Sequence, residues 1–175
     1  MVDLLKTLST ALDDEGNNIV KHISDGLAYK SDFFDTVYAF ESIQQRPRAL
    51  WGKGGVYVFV IKTPVNLTAD EVRKWNNVRG AKFKDYEKKD LKAADCLYVG
   101  SGDSIYRRMT DHFNATGEST GLKLGSPNRK KVLNCVKVYA FPLRSAYRPY
   151  SSIIMREIEK RLHNTLNPVA GSSRV

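Results

Sequence analysis

The sequence predicts an α+β domain, on three observations. Short runs rich in β-branched and aromatic residues occur at residues 55–61, 94–99 and 132–141. Apolar residues at helical spacing mark residues 103–113 and 152–166. The first fifty residues read as helical. The division therefore falls between a helical extension over residues 1–50 and a domain over residues 51–175, in which the order is strand, strand, helix, strand, helix.

In the extension, Leu4, Leu5, Leu8 and Leu12 make one apolar stripe, and Ile19, Val20, Ile23 and Leu27 make another after a polar break at residues 13–18. A third helix is expected over residues 33–40, before Pro47. The run 55–61 is bounded by Gly-Gly and Lys-Thr-Pro and reads as a buried strand. Residues 62–93 form a polar, Lys-rich insertion with one helix signal, the Thr68–Glu71 capping box followed by Val72 and Trp75. Residues 94–99 read as a second strand that Gly100, Ser101 and Gly102 end in a turn. The helix after it starts at Asp103 or Ser104, and Ile105, Met109 and Phe113 supply its buried stripe. Arg108 and His112, four apart, share a neighbouring face. A Gly-, Ser-, Asn- and Lys-rich loop at 114–131 leads into the third strand. Pro149 precedes the last helix, which Asn167 and Pro168 stop.

Composition narrows the function classes. Of 175 residues, 42% are hydrophobic and 27% charged, which excludes disordered and collagen-like chains. No apolar run approaches the ~20 residues of a membrane span, and the amino terminus lacks the order of a signal peptide. The two cysteines, Cys96 and Cys135, form no C-x-x-C pattern, so neither a disulfide framework nor a zinc site is expected. A soluble, cytoplasmic protein with no membrane partner is the expectation. Charge is uneven: residues 1–50 hold 5 Lys+Arg against 8 Asp+Glu, whereas residues 51–175 hold 23 against 11. Such a cationic excess in one segment is the footprint of a polyanionic partner.

Four pieces then line up in order: Gly55-Val56-Tyr57, Tyr98-Val99-Gly100, Arg108-x-x-x-His112, and Glu159 nine residues before Pro168. Over residues 54–168 the chain resembles the GIY-YIG nuclease family. The resemblance implies a small three-stranded, mainly antiparallel sheet flanked by helices, and hydrolysis of DNA phosphodiesters with one divalent metal, Mg²⁺ or Mn²⁺. It implies that Tyr57 acts as general base or positions the water, with Tyr98 beside it. Arg108 would stabilise the negative charge that develops on the phosphoryl oxygens, His112 would hydrogen-bond the water or the tyrosine, and Glu159 would hold the metal. Helical geometry favours Glu159 over Glu157 for that last role. At ~100° per residue, Ile154, Met155, Ile158, Leu162 and Leu166 centre on one face; Glu159 lies at its edge and Glu157 points away.

The chain departs from the family in two places. Its two tyrosines are separated by the insertion, where the family joins its strands by a short connection. The insertion carries nine Lys+Arg, and within it Lys74, Trp75 and Asn76 are candidates for contacting DNA, as are Lys123, Arg129, Lys130 and Lys131 in the 114–131 loop. Where the family places a late asparagine, this chain has Gly171, with Asn164 and Asn167 as alternatives. Because few residues follow Pro168, specificity is expected from the extension, the insertion and the loop. That arrangement is similar to a stand-alone, site-specific restriction endonuclease, and cutting both strands of a palindrome makes a homodimer attractive. The alternatives are a phage or mobile-element (homing-type) nuclease, or a non-catalytic DNA- or RNA-binding module.

Overall fold

The computed structural model describes residues 2–77, 81–83, 94–114, 121–127 and 129–171. Its centre is a four-stranded antiparallel sheet: β1 (Tyr38–Phe40), β2 (Gly55–Ile61), β3 (Cys96–Gly102) and β4 (Val136–Pro142), in the spatial order β1-β4-β2-β3. Helices α1 (Val2–Asp25) and α5 (Ser151–Leu166) cover one face, and α2 (Ala69–Asn76) and α3 (Ile105–Phe113) the other; α4 (Lys130–Leu133) is a single turn before β4.

β2 is central and buried on both faces, which explains its unbroken apolar run. Val56 and Val58 join Ile154, Ile158 and Leu162 of α5 in one core, while Tyr57 and Phe59 join Ile105 and Met109 of α3 in the other. The capping box forms as the sequence predicts: the Thr68 hydroxyl accepts from Glu71 N, and the Glu71 carboxylate accepts from Thr68 N.

Four expectations are corrected. The extension begins with one continuous helix across residues 13–18, because Leu12, Glu15, Gly16 and Ile19 lie inward while Asp13, Asp14 and Asn17 face solvent. The polar run is thus the outer face of α1, and Asp13 pairs with Arg161 of α5. Residues 33–40 are extended rather than helical. Phe34 bridges to Leu143, and β1 pairs with β4 in the register Tyr38↔Ala140 and Phe40↔Val138, adding a fourth strand to the sheet. The β-branched and aromatic content of Thr36-Val37-Tyr38 suits that sheet edge better than a helix. The strand expected from residue 132 starts at Val136, since Val132 and Leu133 are buried as part of α4. Finally, Gly100, Ser101 and Gly102 belong to β3 and do not form a turn.

β3 is an edge strand whose first half is covered. Val169 N and Ala170 N donate to Cys96 O (3.1 Å) and Leu97 O (2.9 Å). Among the described residues, no helix is long and apolar enough to cross a membrane.

Candidate active site on the glycine-bearing half of β3

The register of β2 and β3 brings the two tyrosines together despite the insertion between them. Tyr57 lies opposite Gly100 and Phe59 opposite Tyr98, so both phenols stand on the α3 face as one diagonal pair. Their rings are 6.3 Å apart and inclined by 18°. Gly100 makes this possible: a Cβ there would lie 2.6 Å from Tyr57 Oη, 2.8 Å from Tyr57 Cζ and 2.8 Å from Tyr98 Cε1. Gly102, two residues on and facing the same way, clears space for Arg108, whose Cγ would meet a Cβ at 2.8 Å.

α3 delivers the remaining polar groups. The Ser104 hydroxyl caps the helix by accepting from Arg107 N, so Ser104 rather than Asp103 is the cap. Arg108 reaches Asp111 (3.2 Å), and its charge also acts on Tyr57 and Tyr98. Its Nε is buried with no hydrogen-bond partner among the described residues.

His112 is fully buried, and its tautomer follows from its partners. Leu122 N donates to Nδ1 at 2.9 Å, so the ring proton sits on Nε2, which donates to Tyr57 Oη at 3.0 Å. Gly121 permits this clamp, because a Cβ there would lie 2.4 Å from Asp111 O. Burial, reinforced by the Arg108 charge, holds the His112 pKa down to about 3. The ring is therefore a neutral donor near neutral pH and not a proton acceptor for the phenol. Tyr57 is also fully buried. Burial first, then the neighbouring Tyr98 and Glu159, pushes its pKa well above the ordinary phenol value, against the pull of Arg108.

The depressed His112 pKa carries a stability prediction. In the unfolded chain the imidazole protonates near its ordinary ~6.5, whereas in the fold it stays neutral down to about 3. Between those values the unfolded state binds more protons, so stability falls as pH falls through that window. At about pH 4.5 the expected loss is roughly 2–3 kcal/mol. Urea midpoints at neutral pH and at about pH 4.5 should differ more for the natural chain than for His112→Gln, and equal differences would refute the assignment.

Glu159 approaches from the other side of β3. It lies on the sheet side of α5, 4% exposed, and Ser101 Oγ donates to its Oε2 at 2.5 Å. Because β3 alternates, Ser101 points to α5 while Gly100 and Gly102 lie beneath the tyrosine and the arginine. Glu159 borders a cavity of about 430 Å³ together with Ser101, Gly102, Asp103 and Arg156. Glu157, by contrast, is only part-buried.

No group of three or more His, Cys, Asp or Glu side chains suited to a metal occurs among the described residues. Glu159 and Asp103 both border that cavity, and their carboxylate oxygens are the donors that hard cations such as Mg²⁺ and Mn²⁺ take, not the nitrogen and sulfur that zinc favours.

The candidate DNA-contacting residues divide. Lys74, Lys130 and Lys131 face solvent; Lys74 pairs with Asp70 (3.1 Å) and Lys131 with Glu71 (2.5 Å). Trp75 and Arg129 are corrected, since both are buried and face no solvent. The Trp75 indole N–H donates to Ala81 O (2.8 Å), and Arg129 lies 4.3 Å from the Trp75 ring while donating to Leu122 O (2.6 Å) and Trp75 O (2.7 Å). They tie α2 to the segment that clamps His112. Asn76 accepts from Phe83 N (2.9 Å), a structural bond, and Lys123 is buried with φ 53°. The rest of the insertion at 78–80 and 84–93, and the loop at 115–120, lie outside the described residues. Gly171 has φ 81° and a Cβ there would lie 2.6 Å from Tyr98 Cε2, so no asparagine fits as the chain stands; Asn164 is exposed and Asn167 is the left-handed cap of α5.

Sequence reasoning missed Ser101, the clamp from Leu122 and the two spacer glycines. One signal existed: glycines two apart with a serine between them, read in strand period, announce a close approach on one face and a hydroxyl on the other. Compared with protein-family models, curated proteins and solved structures, the chain has no match.

Proposed function

We propose that the chain is a metal-dependent DNA endonuclease of the GIY-YIG type, hydrolysing phosphodiesters in duplex DNA with Mg²⁺ or Mn²⁺. The observation that supports this reading most is the convergence at Tyr57 Oη. A neutral His112 donates to it, the Arg108 charge acts on it and Tyr98 lies beside it, while Glu159 stands across β3 beside Ser101. The Arg108 charge and the His112 donor favour its phenolate, against the burial that raises its pKa.

In the reaction, Tyr57 in its phenolate form takes the proton of a water that attacks phosphorus, and the 3′ or 5′ oxygen leaves opposite and is protonated from solvent. The His112 Nε2–H steadies the phenolate form by donation, and its locked tautomer keeps it from competing for that proton. The Arg108 guanidinium offsets charge on the phosphoryl oxygens, where a fixed, always-charged planar group is effective. Ser101 orients the Glu159 carboxylate, which would hold the cation. When bound, the cation would supply Lewis-acid stabilisation of the phosphoryl group. The site-specific restriction subtype, and a homodimer that brings one site to each strand, belong to the same proposal.

The test is digestion of long duplex DNA with Mg²⁺, Mn²⁺ or EDTA, beside Glu159→Ala. Cleavage that EDTA and Glu159→Ala both abolish is the expected result, and discrete ends would mark a site-specific enzyme. Binding without cleavage under every metal would replace the proposal with a non-catalytic binding module.

A further inference from the structure

With Trp75 and Arg129 buried, the aromatic surface available to a partner lies elsewhere. Trp51 is 74% exposed, more than any other large apolar side chain among the described residues. It follows a 3₁₀ turn at Arg48–Leu50 and precedes Gly52, whose φ of 70° redirects the chain. The indole is held in place: it stacks on Tyr106 of α3 at 5.4 Å and 24°, and Arg46 Cζ lies 5.0 Å from the same Tyr106 ring. Arg46 Nε is buried without a hydrogen-bond partner among the described residues.

The surroundings are cationic. Arg48 and Arg107 are exposed neighbours in sequence of Trp51 and Tyr106, and Arg148 donates to Gly52 O at 3.4 Å. A cavity of about 420 Å³ runs from Gly52 and Lys53 to Asp103, and Asp103 also borders the Glu159 cavity. Gly52, the residue after Trp51, thus lines a cavity that shares Asp103 with the one beside Glu159.

An exposed, pre-stacked indole among arginines, beside a site that acts on phosphodiesters, matches the chemistry of a nucleotide: a flat π-face next to a negative charge. We propose that Trp51, backed by Tyr106 and with the exposed Arg48 and Arg107 near it in sequence, is a platform for a nucleobase that has left the helical stack of a DNA strand. The arginines take the phosphates on either side, and the inference rests on the nuclease reading above. Opening one base step beside the cut costs stacking free energy, which the platform offsets.

Fluorescence tests it directly, because the chain has two tryptophans and Trp75 is buried. The full chain is titrated in EDTA with a single-stranded oligo(dT), with a blunt duplex carrying a central mismatch, and with heparin, a polyanion without bases. Oligo(dT) and the mismatched duplex should quench Trp51 and protect it from acrylamide, while heparin leaves the emission in place. Trp51→Ala should weaken oligo(dT) binding roughly fivefold to hundredfold, and Trp51→Phe should restore most of it. Unchanged emission at saturation, unchanged affinity in Trp51→Ala, or a Trp51-dependent dimer without DNA would each overturn the platform. Quenching without cleavage in Mg²⁺ would leave the platform and remove the nuclease; cleavage with KM unaltered by Trp51→Ala would do the reverse.

Discussion

Tyr57→Phe is expected to lower the cleavage rate by roughly 10²–10⁴-fold while the fold persists. The substitution keeps the ring that stacks on Tyr98 and meets Phe59 edge-on, and deletes only the hydroxyl that accepts from His112. The stability cost is that of an unsatisfied His112 Nε2–H, about 1–3 kcal/mol. A pH profile makes the prediction specific to a base. Burial raises the Tyr57 pKa above the ordinary phenol value, so the reactive phenolate is a minor species at neutral pH and grows with alkalinity. Single-turnover cleavage by the natural chain should therefore keep rising with pH, and the residual rate of Tyr57→Phe should lose that alkaline slope. A variant that cuts within about threefold of the natural chain and keeps the slope would take the base role from Tyr57 and leave its ring as packing.

The legible parts of the site were those that strand and helix periodicity fix. The β2 and β3 runs, the α3 stripe of Ile105 and Met109, and the inward placement of Glu159 over Glu157 follow from patterns of two and 3.6 residues, and the structure has each of them. What sequence spacing could not show was pairing at a distance. The register that sets Tyr57 opposite Gly100 joins residues across the whole insertion, and β1 gains its place only because β4 offers an edge to it. Glycine misled for a related reason. Gly100 and Gly102 look like turn residues until the tyrosine and arginine they make room for are known to lie above them. Trp75 and Arg129 misled in the opposite sense, since an indole and a guanidinium that satisfy each other and three backbone carbonyls can be core, whatever the charge of the segment around them.

Gly100→Ala should damage both the fold and the chemistry, and through two atoms that can be named. The added methyl would sit 2.6 Å from Tyr57 Oη and 2.8 Å from Tyr98 Cε1, distances that no side chain tolerates without movement. Tyr57, fully buried, has little room to retreat, whereas Tyr98 is part-exposed. Tyr57 is backed by His112 at 3.0 Å and by Phe59, and Tyr98 faces Gly171 on its far side. The expected cost is about 1–3 kcal/mol for the overpacked pair. Any surviving fold would carry Tyr57 Oη displaced by about an ångström, enough to slow a positioned reaction roughly 10²-fold. Gly102→Ala makes a useful contrast: its methyl would meet Arg108 Cγ at 2.8 Å, the stem of a flexible side chain, so the arginine shifts and stability changes less. The closing comparison is the double variant Gly100→Ala with Tyr57→Phe. Removing Oη relieves the shortest contact, so the two stability losses should sum to more than the loss in the double variant, a coupling that thermal or urea unfolding can read. Additive losses, or a Gly100→Ala chain as stable and as active as the natural one, would mean that the stacked tyrosines over Gly100 are not the working arrangement.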